Sequence, residues 1–197
     1  MTDTPPAQKY PLEFDEKVTP VMVYTRSCLA WGDVITKQVI RLSTWLRTPM
    51  APLDIGLLSA QMLLLTGGSP TPLNFSELHF PIGEVVAFHM LPPHRDPLDF
   101  DPSEPNRKLD PVTCMIGPFR FDGYIRVAGQ TNLTHYLEVV KETFIPLYEI
   151  EISQPQRPSM KPLRIPYTLV RREVSLFATR EAPSLSQEEL VSRQAPA

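Results

Sequence analysis

Gly123–Leu137 reads GYIRVAGQTNLTHYL, and a degraded copy of it, GDVITKQVIRLSTWL, stands upstream at Gly32–Leu46. Without a gap, Gly32 matches Gly123, Val34 matches Ile125, Leu42 matches Leu133, Ser43 matches Thr134, Trp45 matches Tyr136 and Leu46 matches Leu137. The chain therefore reads as a tandem duplication. The match runs back to Pro20-Val21 against Pro111-Val112. Forwards, after a three-residue insertion in the second copy, it sets Met50-Ala-Pro-Leu53 against Phe144-Ile-Pro-Leu147. Further on, Glu84-Val85 and Phe88 fall opposite Glu173-Val174 and Phe177.

A chain of 197 residues divided this way gives two units of about 70 residues, a size at which one core is only marginally stabilising. The two copies are expected to pack on each other. Proline is abundant, 23 residues against 8 glycines, and it breaks helices and confines strands to short runs and edges. The expected fold is all-β or β-dominated: two pseudo-symmetric small β-barrels or rolls, each with one short helical turn. Residues 1–19 read as a disordered or strap-like arm and 20–91 as the first β unit. Residues 92–110 form a Pro/Asp-rich connector, 111–180 the second β unit and 181–197 a flexible tail or frayed helix.

In each copy the strand pattern gives way to a helical period at Leu42, Trp45 and Leu46, and again at Leu133, Tyr136 and Leu137, with Thr131 or Asn132 placed to cap the second. In copy two, Leu147–Ser153 alternates Ile150 and Ile152 with Glu149 and Glu151, as a half-buried strand does. The matching run in copy one, Ile55–Leu65, is apolar on both faces. A strand of that kind needs a cover on each side, supplied by copy two, the arm or a second chain. Ile55, Leu58, Met62 and Leu64 are accordingly the candidate interface. A turn is read at Gly67-Gly68-Ser69-Pro70, ahead of a last strand at Leu78–Met90 that Tyr167–Thr179 matches.

Two cysteines, Cys28 and Cys114, make neither a disulfide framework nor a zinc site and read as small buried side chains. No secretory signal and no stretch long enough to span a bilayer is read, so the expected address is the cytoplasm. The connector and the strand end before it offer His89, His94, Asp96, Asp99, Asp101 and Glu104 as ligand types, without the spacing of a known metal loop. Carboxylates alternating with proline are turn formers more simply than ligands. No nucleophile elbow, Cys-His arrangement or phosphate cradle appears, so no enzyme, cofactor or metal is expected.

Copy two alone is net basic, with nine Lys/Arg against six Asp/Glu. Its Arg157, Lys161, Arg164, Arg171 and Arg172, with Asn132, are the candidate patch for nucleic acid or an acidic partner. The alternative is a solvated strand face.

The repeated order of G-x-I, R-L-S-x-x-L and F-x-P-L resembles an uncharacterised family of bacterial proteins, a domain of unknown function. The resemblance is carried by Gly32, Arg41-Leu42-Ser43 and Leu46, and by Gly123, Phe144 and Pro146-Leu147. It spans most of 20–180 and implies no activity. More distantly, DGYIRV followed by TNLT is similar to the first signature of Sm-like barrels, which implies an RNA-contacting role for Asn132. The second signature's arginine-glycine pair is missing. The expected function is a non-enzymatic binding or scaffold protein that assembles with itself, as a homodimer, or with an unidentified protein, away from membranes. An Sm-like nucleotide or nucleic-acid binder is the alternative.

Overall fold

Alternation of apolar and polar residues makes Glu16–Tyr24 (β1) and Cys28–Lys37 (β2) a hairpin, which turns at Arg26 and Ser27. In the computed structural model, which describes residues 10–48, 51–65, 72–158 and 161–194, the first half continues with α1 (Leu42–Trp45), β3 (Asp54–Leu64) and β4 (Leu73–Pro81). A 3-10 turn at Ile82–Glu84 leads to β5 (Ala87–Met90). The second half repeats the series as β6 (Arg107–Ile116), β7 (Phe119–Ala128), α2 (Leu133–Val139), β8 (Phe144–Ser153), β9 (Leu163–Arg171), a 3-10 turn and β10 (Leu176–Thr179). A last helix, α3 (Gln187–Gln194), follows.

The fold is β-dominated, with every strand pair antiparallel and one sheet in the order β10-β6-β7-β8-β9-β5-β1-β2-β3-β4. This is one continuous open sheet rather than two closed barrels. Each five-stranded half rolls around its own apolar cluster, so that all five strands and the helix of the first half contribute to one core.

The pairings of one half recur in the other. Val21↔Gly32 becomes Val112↔Gly123, Val21↔Met90 becomes Val112↔Thr179, and Ile55↔Phe80 becomes Ile145↔Val170. Asp54 therefore stands where Phe144 does, and copy two is one residue shorter before β8 instead of three longer. Pairing Pro52-Leu53 with Pro146-Leu147 matched like dipeptides at unlike positions; Met50 lies outside the described residues. The expected last strand at Leu78–Met90 is two strands broken at the 3-10 turn. The turn at Gly67-Gly68-Ser69-Pro70 lies outside the described residues, as does the start of the arm.

Both glycines of the duplicated stretch sit at a bulge. Trp31 pairs with Gln61 and Asp33 with Leu58, so Gly32 opposes two residues, Ser59 and Ala60. Asp122↔Glu151 and Tyr124↔Tyr148 place Gly123 in the same way. A Cβ on Gly32 would lie 2.9 Å from the Leu58 carbonyl oxygen, and one on Gly123 would lie 2.9 Å from that of Tyr148. Ser59 (φ 46°) and Glu149 (φ 47°) take the left-handed conformation at matching places. Gly32→Ala and Gly123→Ala should each cost about 1–3 kcal/mol in denaturant melts, since backbone must move to admit the methyl. A loss at one glycine without the other would contradict their equivalence.

The bulge also corrects the reading of Ile55–Leu65. Ile55, Leu57 and Ala60 are buried because the extra residue shifts the phase of alternation at Ser59. One core face, re-phased, was read as two. Of the candidate interface, Ile55 is fully buried in the first half's own core, Met62 packs against that core, Leu58 is half-buried and Leu64 is 51% exposed. The copies do not meet across this strand. They meet where β5 pairs with β9, through Ala87↔Val170 and Phe88↔Leu169.

That junction is reciprocal. Phe144 and Leu169 of the second half belong to the first half's cluster, while Tyr24, Val86 and Ala87 of the first half belong to the second's. Tyr24 meets Phe119 and Phe121 edge-on, both at 5.2 Å. The Arg171 amide donates to the Val86 carbonyl at 2.7 Å, and its guanidinium to the carbonyls of Val85 and Ile82, lying over the Phe144 ring.

Two terminal expectations change. Strand β1 already begins at Glu16, inside the expected arm, and Tyr10 donates to Asp33 or Ser59, both at 2.8 Å, at the first bulge. The tail forms α3, with Leu185 bridged to Leu109 and Leu190 fully buried beside Tyr148.

Candidate binding surfaces

The connector, expected to hold turns, holds the halves together. Helix α1 has no side-chain cap of its own, and the Asp96 carboxylate accepts from the Ser43 amide at 2.8 Å. Helix α2, by contrast, is capped locally, Asn132 accepting from the His135 amide at 2.9 Å. Asp99 is buried against Arg47 of the first half, whose Nε also donates to Glu142 at 2.7 Å. From the second half, the Tyr148 hydroxyl donates to Asp99 at 2.8 Å, and the Tyr167 hydroxyl donates to the Ser43 carbonyl at 2.6 Å with Asp99 at 3.3 Å. Burial, and then the charge of Asp99, hold both phenols neutral, with their pKa values well above the ordinary one.

Glu104 and Asp101 are also occupied, while His94 is exposed. Glu104 pairs with Arg126 and Arg107, which hold its carboxyl below the usual range. Asp101 closes a turn on Ser103. Among the described residues no three His, Cys, Asp or Glu side chains converge as a metal site. Cys28 and Cys114 are unpaired and buried, and burial pushes the Cys114 thiol up to about 12.

His89 is fully enclosed, its Nδ1 bonded to the Met90 carbonyl at 2.8 Å and its Nε2 to the Tyr24 hydroxyl at 3.2 Å. Burial lowers its pKa to about 4. Unfolded His89, with an ordinary pKa near 6.5, binds a proton that the folded chain refuses. Its contribution is therefore complete above about pH 6.5 and is lost as pH falls towards 4, to roughly 3 kcal/mol. His89→Gln should flatten the loss of melting temperature between pH 7 and 4.5; an unchanged slope would contradict this.

The candidate patch does not gather into one surface. Arg164 and Arg171 are seven residues apart along β9, roughly 20 Å. Arg164 is paired with Glu151 at 2.8 Å. Arg171 is held at the junction, and Arg172 donates to the carbonyls of Leu137 and Val140 at the end of α2. Arg157 is half-buried, Lys161 is exposed, and the Asn132 side chain is the α2 cap. A cleft of about 650 Å³ opens near the second bulge; its lining includes Arg164 and Glu151, paired with each other as neighbours on β9 and β8, and Glu149, which accepts from Gln194 of α3 at 3.0 Å.

No family model, curated protein or solved structure matches this chain.

What sequence reasoning missed is the free edge at β10. Its Leu176 is 73% exposed, whereas Ala87, its counterpart in β5, is 0% exposed under β9. An open pocket of about 310 Å³ lies beside it, lined by Leu137 of α2 with Glu173, Leu176 and Phe177. Leu46, the counterpart of Leu137, is buried. The duplication itself carried the signal, since a strand that is covered in one copy marks its twin as uncovered. No helix among the described residues is long and apolar enough to cross a membrane.

Proposed function

We propose that the protein is a non-enzymatic binding or scaffold module that acts through protein–protein contacts. The observation that carries this reading is the uncovered β10 edge. It exposes a large apolar side chain beside a partly apolar pocket, at the place where the other half of the same chain makes its principal contact. The engagement of Arg164, Arg171, Arg172 and Asn132 within the fold favours this reading over an Sm-like nucleic-acid binder. The resemblances to a bacterial family of repeated units and to Sm-like barrels add no activity to it. On this reading the compartment is the cytoplasm.

Affinity capture of the tagged chain from its own cells, with sedimentation of the purified chain over a concentration series, tests the proposal. A protein recovered in fixed proportion, or a mass that rises with concentration, is the expected result. A chain that stays monomeric and retains nothing above background contradicts it.

A further inference from the structure

We propose that the groove between β10 and α2 binds an extended strand of a partner protein. The segment it takes has two adjacent apolar residues followed by an arginine, the pattern of Leu169-Val170-Arg171. The inference rests on the protein-binding reading and names the site and the chemistry of its occupant.

In the first half the site exists and is filled: β9 lies antiparallel to β5, and α1 touches both strands. Leu169, with Phe144 behind it, enters the cluster of Leu46, Val85 and Phe88, while Val170 faces the other way, into the cluster of Ala87 and Val86. The Thr168 hydroxyl donates to the Phe88 carbonyl at 3.1 Å, and Arg171 closes the contact on carbonyls near Glu84.

The second half keeps the receiving side. Leu137, Val174 and Phe177 stand where Leu46, Val85 and Phe88 do. Leu176 stands for Ala87, and Glu173 for Glu84. A strand laid there would place one apolar residue towards α2 and Phe177 and the next beside Leu176. Its amide would reach the Ser175 carbonyl, the counterpart of Val86, and its arginine would meet Glu173. Pairing by main chain with side-chain pockets on alternate faces is how an exposed edge captures a peptide.

A second copy of this chain does not supply that strand. Of its two free edges, β10 reads Leu176-Phe177-Ala178, with no arginine after the apolar pair, and β4 has Pro81 for Arg171, with no amide to donate, His79 for Leu169, and Asp54 for Phe144. Proline and charge on an edge strand oppose edge-to-edge growth. The apolar socket is retained while the chain's own matching plug is altered, which points to another protein as the donor.

The test uses the full chain and a fluorescent peptide of residues 163–172, LRIPYTLVRR, read by anisotropy. Saturable binding is expected, weakened about tenfold or more by Leu176→Asp, by Glu173→Arg and by N-methylation of the peptide amide at Arg171. Both side chains are exposed, so circular dichroism melts should show the variants folded. Binding that is absent, or indifferent to all three changes, overturns the proposal. So does self-association of the wild-type chain that Leu176→Asp abolishes, because the groove would then serve a second copy. If a partner captured from cells is retained equally by Leu176→Asp, the protein-binding reading stands and this inference alone fails.

Discussion

Phe144→Ala should lower the stability of the whole chain by about 3–5 kcal/mol, in a single transition seen alike by near- and far-ultraviolet dichroism. Phe144 opens β8 of the second half but is buried in the first half's cluster, with the Arg171 guanidinium 4.7 Å from its ring centre. Truncating a buried phenylalanine removes its transfer energy and leaves a cavity that the surroundings only partly fill. Leu169 enters the same cluster, so both sides of the junction lose packing together. Two separate transitions, with only one moved by the substitution, would show that the halves fold independently and that the junction contributes little.

The second large effect is expected at Asp99. Asp99→Ala leaves Arg47 without its buried carboxylate partner, deprives the Tyr148 hydroxyl of its acceptor and strips the Tyr167 hydroxyl of one of two. Removing one member of a buried ion pair costs about 3–5 kcal/mol, because the desolvated partner remains. Glu142 still faces Arg47 and softens the loss towards the lower end. Asp99→Asn, which keeps an acceptor without the charge, should fall between wild type and alanine in urea melts. A melt unmoved by Asp99→Ala would mean that the connector does not clamp α1 to β8 and β9.

These two residues show where the sequence was readable. The duplication was legible because its marker, a glycine forced by the close approach of the Leu58 or Tyr148 carbonyl, cannot vary freely. Leu42, Leu46 and Leu133 were legible as buried from their helical spacing, and all three are; Trp45, Tyr136 and Leu137 are only half-buried. Gly32, inside a strand pair, reads as a bulge or tight-bend glycine, and a bulge is there; the phase shift on the facing strand, at Ser59 and Glu149, was not legible. Neither residue type announces a left-handed conformation, and without the phase shift Ile55–Leu65 reads as a strand covered on both faces. The junction escaped because Phe144 and Leu169 look like ordinary residues of their own half's core; only the sheet order shows that they serve the other half.

The same limit hid the connector's part. Asp96 precedes Pro97 and Asp99 lies two residues beyond it, so both read as turn formers, and Asp96 finds Ser43 while Asp99 finds Arg47 more than fifty residues away, a distance at which a single sequence carries no pairing signal. The basic residues of copy two raised its charge legibly, yet the partners of Arg171 and Arg172 are main-chain carbonyls, which leave no trace in composition.

Residue-resolved hydrogen exchange along the twin strands β4 and β9 is the most direct measurement of the edge-to-edge arrangement. Strand β9 lies between β8 and β5, whereas β4 has β3 on one side and an open edge on the other. Near the junction, the amide of Arg171 should exchange only on global unfolding, since it donates to Val86 across it. Alternate amides of β4, pointing away from β3, should exchange orders of magnitude faster. Equal protection along both strands, or a rapidly exchanging Arg171 amide, would contradict the account.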